Sequence, residues 1–378
     1  MKIIQSSQGA YLKIDGKKYL NLSSNNYLGL ASDKLLCKAA VLAIRKYGVG
    51  TASVRALVGT NELHVELERK LAEFKKAEDA IALTGGYMAN LAAVQTVLDK
   101  EDVVVSDELN HASIIDAVRL SGVVNKFVYK HNDTSDLKRI VPEILAKANV
   151  CKSNGEKPKI LIITDGVFSM DGDIANLPEI VKIAREIGAM VMVDDAHGEG
   201  VLGSRGRGIV DHFNLHGKVD IEVGTLSKAF GVIGGFISGK KELIDLFRAK
   251  SRQFLFSNGL SVPDAGALIA GVDILSKSDE RVKNLWKNAD FLKKGLVEHG
   301  FDIGHSVTPI TPIMVGDEEL TVKFAEGLFE EGVLVSAIKF PMVARGKARL
   351  RLIPSAIHTE KQLEWGIKRI SWVWKKIS

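Results

Sequence analysis

Short apolar runs alternate with amphipathic helical segments over the first two-thirds of the chain, and this alternation restricts its fold more than any other feature. In the helical segment 65–80, Leu67, Leu71 and Phe74 recur with the spacing of one helix face. The apolar runs lie at residues 80–83, 102–107, 159–167, 189–197 and 220–228. Apolar strands separated by helices predict a parallel sheet with helices on both faces.

The pattern changes near residue 260, where long helices and short strand candidates predict a smaller α+β unit. The helices lie at 262–275, 280–300 and 360–376, and the strand candidates at 310–316 and 348–354. We therefore expect an α/β fold with a large domain at residues 41–270, built on a mostly parallel central sheet. A small C-terminal domain would comprise residues 271–378, and residues 1–40 would form an N-terminal segment that belongs to it.

Composition narrows the class of protein. Lysine and arginine total 51 against 46 acidic residues, and this net charge of +5 is interleaved along the chain, whereas nucleic-acid-binding proteins concentrate basic residues. The sequence contains neither an apolar run of about 18 residues nor a signal-peptide pattern at its start. Cys37 and Cys151 lack a paired spacing, which argues against a cysteine-based zinc site and favours a reducing compartment. We expect a cytoplasmic protein without a nucleic-acid or membrane partner.

Polar side chains follow the apolar runs, at the positions where parallel sheets bind ligands. Lys228 lies among small residues after a strand, and partial burial lowers the pKa of a lysine so that its amine can attack an aldehyde. Asp194 ends another strand and needs a partner such as a protonated pyridine nitrogen, while His197 could bond a phenolic oxygen of the same ring. The alternatives are an exposed lysine, a helix cap, or a Mg or Zn site formed by Asp194, Asp195 and His197.

Two further positions complete a pattern. Residues 84–90 (TGGYMAN) join a strand to a helix, where glycine and a helix N-terminus favour a phosphate. His111 opens a later helix and could stack on a flat ring, although a capping histidine is the simpler alternative. The glycine turn, His111, Asp194 and Lys228, in this order within one α/β region, describe a pyridoxal phosphate (PLP) site without a metal.

Ordered motifs extend this pattern over nearly the whole chain. They are residues 24–30 (SNNYLGL), 59–60 (GT), 64–68 (HVELE), 111–113 (HAS), 165–172 (DGVFSMDG), 193–197 (VDDAH), 225–228 (TLSK), 255–258 (LFSN), 348–351 (ARLR) and 355–359 (SAIHT). With these motifs the chain resembles the α-oxoamine synthase family, and the resemblance implies the fold of a fold-type I PLP-dependent transferase.

The resemblance also implies a role for each matching residue. Lys228 would bind PLP as a Schiff base and remove the α-proton of the substrate, and Asp194 would pair with the pyridinium nitrogen. The other cofactor contacts would be His197 and Ser169 at the phenolic oxygen, His111 on the ring, and Gly86, Tyr87 and Thr225 at the phosphate.

Four more residues would lie at the margins of this site. Ser257 and Asn258 resemble residues that reach the phosphate of the neighbouring subunit, which implies a homodimer with shared active sites. Asn25 and Arg351 would bind the amino-acid substrate, with the Arg351 guanidinium clamping its carboxylate through two hydrogen bonds.

The implied reaction condenses an amino acid with an acyl-CoA and releases CoA. Residues 252–258 (RQFLFSN) and 25–27 (NNY) most resemble the glycine C-acetyltransferases of threonine breakdown, so we expect glycine and acetyl-CoA to give 2-amino-3-ketobutyrate. The alternative within the family is the condensation of alanine with a pimeloyl thioester to 8-amino-7-oxononanoate in biotin synthesis. Alternatives of another class are a PLP aminotransferase and a non-catalytic family member.

Overall fold

A computed structural model describes residues 2–377. Its strands are β1 (Tyr11–Ile14), β2 (Lys17–Asn21), β3 (Asp79–Leu83), β4 (Val103–Asp107), β5 (Asn125–Tyr129), β6 (Ile160–Asp165), β7 (Met190–Asp194), β8 (Ile221–Thr225), β9 (Gly235–Gly239), β10 (Thr311–Gly316), β11 (Val333–Leu334), β12 (Ser336–Ile338) and β13 (Ala348–Leu352). Its α-helices are α1 (Lys34–Tyr47), α2 (Glu62–Lys75), α3 (Gly86–Val97), α4 (Ala112–Ser121), α5 (Thr134–Ala148), α6 (Leu177–Glu186), α7 (Ile209–His212), α8 (Lys241–Lys250), α9 (Arg252–Leu255), α10 (Val262–Lys277), α11 (Glu280–Glu298), α12 (Glu318–Glu330) and α13 (Glu360–Ile377).

The large sheet has seven strands in the order β3-β9-β8-β7-β6-β4-β5. Strand β9 is antiparallel to both of its neighbours, and the other paired strands run parallel. The mostly parallel central sheet predicted from the apolar runs is therefore confirmed. The helix predicted at 65–80 ends earlier than expected, because Lys76 adopts a left-handed conformation (φ 56°) after α2.

Helices cover both faces of this sheet. Successive strand residues point to opposite faces, so Val103 and Val105 of β4 join one apolar core while Val104 joins the other. The first core also receives side chains from α2, α5, α6 and α10, and the second from α3, α4 and α8. Because both faces are covered, the carboxyl ends of the strands are where polar side chains can gather.

The two ends of the chain pack together. Strands β10, β13 and β12 form a second sheet, while β2 of the N-terminal hairpin pairs in parallel with β11. Leu20 and Leu22 share a third apolar core with Leu292, Leu328 and Ile370. The predicted domain boundaries stay a prediction. Among residues 2–377, no helix is both long and apolar enough to span a membrane.

The turn between β3 and α3 approaches β9 so closely that one glycine has no room for a side chain. A Cβ atom on Gly235 would lie 2.5 Å from the carbonyl carbon and oxygen of Gly85 and 2.6 Å from the nitrogen of Gly86. These are backbone atoms of a turn between two packed elements, so they cannot move aside without disturbing both.

We expect Gly235→Ala to lower the free energy of unfolding by about 1–3 kcal/mol, the usual cost of overpacking. Denaturant titration measures this change. Gly50→Ala is the matched control, because a Cβ atom there would meet nothing within 4 Å. Equal unfolding midpoints for the two variants would show that the turn yields easily.

Candidate active site

A cavity of about 360 Å³ lies at the carboxyl ends of β3, β6, β7 and β8. It brings together eight residues that the sequence placed in a cofactor site, although they span more than a hundred positions of the chain. These residues are Gly86, Tyr87, His111, Ser169, Asp194, His197, Thr225 and Lys228.

A hydrogen-bonded chain holds the buried carboxylate of Asp194. The Asn90 amide donates to its Oδ2 at 2.6 Å, and the Ala196 N–H donates to its Oδ1 at 2.9 Å. The same Asn90 nitrogen lies 2.8 Å from the Ser113 hydroxyl, which in turn lies 2.7 Å from His111 Nδ1. This chain of contacts fixes Asp194 and the His111 ring relative to each other.

Lys228 follows β8 in a turn whose ends are joined by a hydrogen bond from the Leu226 N–H to the Gly234 carbonyl. Burial lowers the pKa of the Lys228 amine, and this outweighs the opposing effect of the Asp194 and Asp165 carboxylates. A lysine whose pKa is lowered holds more of its amine in the neutral, nucleophilic form.

Asp165 is the register partner of Asp194 on the neighbouring strand. Its Oδ2 accepts a hydrogen bond of 2.9 Å from the His111 N–H. Burial raises the pKa of Asp165 well above its usual value, and the nearby charge of Asp194 raises it further. Asp165 therefore favours its neutral form beside Asp194.

The buried ring of His197 is bonded to Tyr27, which arrives from the N-terminal segment. The Tyr27 hydroxyl lies 2.7 Å from His197 Nδ1, and both side chains are buried. Sequence reasoning assigned no role to Tyr27, because nothing in the sequence places residue 27 beside residue 197.

The predicted substrate residues lie beside the cavity rather than in its lining. Arg351 on β13 donates from Nη1 to the Ser169 carbonyl at 3.1 Å. Arg351 Nε and Asn25 Oδ1 are buried, and neither has a hydrogen-bond partner within the described part of the chain. A buried donor on a guanidinium fits a carboxylate ligand.

The predicted phosphate residues surround the start of α3. Thr225 Oγ1 lies 2.8 Å from the Ser227 hydroxyl and 3.1 Å from the Gly234 carbonyl. No side chain caps α3, so its first N–H groups are open to an anion. The Tyr87 hydroxyl donates instead to Asp116 on α4. The group that Tyr87 can offer to a phosphate is therefore its backbone N–H.

Ser257 and Asn258 do not line this cavity. Asn258 is exposed and forms an isolated antiparallel bridge with Val54. Their predicted contribution to a neighbouring subunit stays a prediction.

Asp195 turns away from Asp194 and His197 into a sealed ionic cluster. Lys75 Nζ lies 3.1 Å from Asp195, 3.3 Å from Glu199 and 3.3 Å from Glu222. Burial raises the pKa of Asp195 to about 7 and that of Glu199 to about 8, although Lys75 opposes both shifts. The metal site considered for Asp194, Asp195 and His197 is therefore not assembled, and no three or more His, Cys, Asp or Glu side chains in residues 2–377 are grouped to hold a metal ion.

The fold and this cavity define a PLP-dependent transferase of fold type I. The chain belongs to the aminotransferase class I and II family, whose model matches residues 17–370, and within it to the α-oxoamine synthases. The family resemblance of the sequence is thus confirmed.

Three relatives illustrate the similarity. The 8-amino-7-oxononanoate synthase of Thermosipho melanesiensis is 54% identical over 377 residues, which cover 100% of this chain and 94% of that protein. Serine palmitoyltransferase from S. paucimobilis, solved with PLP and myriocin bound, has a TM-score of 0.93 at 30% identity, covering 100% of this chain and 93% of that one. The 8-amino-7-oxononanoate synthase of Francisella tularensis has a TM-score of 0.78 at 27% identity, covering 95% and 98%.

PLP is the cofactor of this family, and the residues around the cavity fit it. The buried carboxylate of Asp194 suits a pyridinium nitrogen, the open start of α3 suits a phosphate, and the Lys228 amine suits an aldehyde. Asn90 Oδ1 is buried beside Asp194 and has no hydrogen-bond partner among residues 2–377. This wall of the cavity therefore offers a hydrogen-bond acceptor to a ligand.

The ionic cluster predicts how stability depends on pH. The pKa of Glu199 is raised on folding to about 8. Between roughly pH 4.5 and 8, the folded chain therefore holds a proton that the unfolded chain has already released. Stability from this group is therefore complete at low pH and is lost as the pH rises through 8.

We expect Glu199→Gln to flatten the fall in the free energy of unfolding between pH 5 and about 9. Denaturant titrations across this range measure the slope. Glu143→Gln removes an exposed carboxylate of α5 and should keep the slope of the parent protein. A parent-like slope in Glu199→Gln would mean that Glu199 is ionised in the fold.

Proposed function

We propose that the protein condenses alanine with a pimeloyl thioester to form 8-amino-7-oxononanoate. The observation that carries this proposal is the name shared by its full-length relatives, of which three are 50% to 54% identical to the chain. The product is an amino ketone that contains alanine without its carboxyl group and a seven-carbon acyl chain with a terminal carboxylate. Alanine and the thioester thus give this product, carbon dioxide and the free thiol. The expected glycine and acetyl-CoA pair is not supported by these relatives.

Four residues would hold PLP and use it. Lys228 would bind it covalently through Nζ, Asp194 would pair with its ring nitrogen, His111 would stack on the ring, and His197 would bond the phenolic oxygen. When bound, PLP supplies an electron sink that stabilises the negative charge left at the substrate α-carbon.

Lys228 would also move the α-proton. Once it is free, its Nζ would be a base in the wall of the cavity that holds the cofactor. The lowered pKa of the amine keeps it able to accept a proton near neutral pH.

Arg351 and Asn25 would orient the amino acid. The unpaired Nε of Arg351 offers the guanidinium edge to a carboxylate, while its Nη1 is already held by the Ser169 carbonyl. This hydrogen bond links Ser169, which would contact the phenolic oxygen of PLP, to Arg351, which would bind the substrate carboxylate.

A second cavity next to the first offers room for the acyl chain. It has a volume of about 640 Å³, shares Ser169 with the cofactor cavity, and is lined on its apolar side by Phe168, Met170 and Met314. Lys347 also lines it and forms no ion pair among residues 2–377, so it is available to a terminal carboxylate.

We also propose a homodimer with shared active sites, in which Ser257 and Asn258 complete the phosphate site of the partner. Exposed apolar side chains near this loop support an interface, since Leu57, Val58 and Phe256 are 77%, 85% and 73% exposed. The cytoplasmic location favoured by the unpaired cysteines stays a prediction.

The substrate proposal predicts which pair of compounds releases thiol. Alanine, glycine and serine, each combined with pimeloyl-, acetyl- and palmitoyl-CoA, are tested for amino-acid-dependent release of free CoA. We expect alanine with pimeloyl-CoA to exceed every other pair by about tenfold or more in kcat/KM. Pimeloyl carried on acyl carrier protein is assayed in parallel. A preference for glycine with acetyl-CoA would contradict the proposal.

The site proposal predicts that Lys228→Ala lacks the visible absorption band of the PLP-loaded protein, because the covalent link to the cofactor is gone. Absorbance of the purified protein measures this, and a retained band would contradict the covalent role of Lys228.

The shared-site proposal predicts that Asn258→Ala is inactive and that mixing it with Lys228→Ala restores activity. The mixture should reach about a quarter of the parent rate, because half of random dimers are mixed and each of these has one complete site. No recovery of activity on mixing would contradict shared sites.

A further inference from the structure

The contact between Tyr27 and His197 bears on which nitrogen of His197 carries a proton. The two groups lie 2.7 Å apart through the tyrosine hydroxyl and the ring Nδ1. The rings meet edge to face, with centroids 6.1 Å apart. Neither the reaction scheme nor the relatives' names assign Tyr27 a part.

The backbone around Tyr27 is clamped, so its hydroxyl cannot move freely. The Ala356 N–H donates to the Tyr27 carbonyl at 2.7 Å, and the Tyr27 N–H donates to the Asn25 carbonyl at 2.8 Å. The Ser355 hydroxyl donates to the adjoining Asn26 carbonyl at 2.8 Å. The phenol therefore approaches His197 from a fixed support.

The Tyr27 hydroxyl must be the donor of this bond. Burial raises the pKa of Tyr27 far above its usual value, which the Arg351 charge only partly opposes, so the hydroxyl keeps its proton. Within residues 2–377, the Tyr27 hydroxyl has no hydrogen-bond partner other than His197 Nδ1. If Nδ1 carried a proton instead, the phenol proton would be buried without an acceptor, which is unfavourable.

His197 must then be neutral with its proton on the other nitrogen. Burial lowers the pKa of His197 well below its usual value, and the nearby charges of Lys228, Arg351 and His111 lower it further. A neutral imidazole has one protonated nitrogen. With Nδ1 accepting from Tyr27, that nitrogen is Nε2.

We propose that Tyr27 is a positioning residue that fixes His197 in the Nε2-protonated tautomer, so that the ring presents an N–H donor to the cofactor cavity. This rests on the proposed role of His197 at the phenolic oxygen of PLP. A donor stabilises negative charge on that oxygen, whereas the other tautomer would direct a lone pair at it and repel it.

The direct test is the protonation pattern of His197 in the PLP-loaded protein. Histidine labelled with ¹⁵N distinguishes the tautomers by long-range ¹H–¹⁵N correlations, and the His197 signals are those missing from His197→Asn. We expect an unprotonated Nδ1 and a protonated Nε2 in the parent protein. In Tyr27→Phe, both nitrogens should shift towards the averaged values of a mixture of tautomers.

Kinetics separate this role from a structural one. Tyr27→Phe should lower kcat by about tenfold or more while the KM for the amino acid changes by less than about twofold. Tyr129→Phe is the control, because it removes the hydroxyl of another fully buried tyrosine, on β5 and outside the site. The control should keep both the parent rate and the parent His197 signals.

Each outcome decides the proposal. A protonated Nδ1 in the parent protein overturns it, even if Tyr27→Phe does not fold. An unchanged tautomer and kcat in a folded Tyr27→Phe also overturns it. The tautomer measurement uses no substrate, so it stands apart from the thiol-release assay. If no substrate pair reacts but His197 shows the expected pattern, the substrate proposal fails and this one holds.

Discussion

The site depends on keeping charge buried at one edge of a sheet. Asp165 and Asp194 end neighbouring strands in register, where both carboxyl groups have lost hydration and a negative charge on one opposes ionisation of the other. The structure compensates with donors from separate elements, since Asn90 of α3 donates to Asp194 and the backbone N–H of His111, just before α4, donates to Asp165. The start of α4 and the side chain of Asn90 on α3 thus each place a donor against this pair. A cationic ring bound beside Asp194 would meet the same need.

Asp194 and Asp195 show how one strand end serves two sites. Their side chains diverge, as consecutive residues of an extended chain do, so one faces the cavity and the other joins Lys75. The cluster is sealed by close backbone approach, because a Cβ atom on Gly208 would lie 1.6 Å from Asp195 Oδ2. The 203–208 segment also packs against the loop that carries His197, since the Gly200 N–H donates to the Gly206 carbonyl at 2.7 Å.

The sequence predicted the large sheet and the cavity residues because both follow from local patterns. Apolar runs specify strands, and residues at strand ends such as Asp194, Thr225 and Lys228 are gathered by the parallel topology itself. It did not predict Lys75 or Tyr27, whose partners lie 120 and 170 positions away. Such contacts depend on how separate elements pack, for which periodicity carries no information. The acyl substrate was also out of reach, because it depends on cavity shape.

The side of the site proposed to bind the amino acid is built from both ends of the chain. Asn25 and Tyr27 come from the N-terminal segment and Arg351 from β13, and the hydrogen bond from Ala356 to Tyr27 fastens these parts together. This bond ties Tyr27, and through its hydroxyl His197, to the segment that follows β13. The proposed carboxylate contact of Arg351 and the proposed proton placement on His197 therefore both depend on this packing.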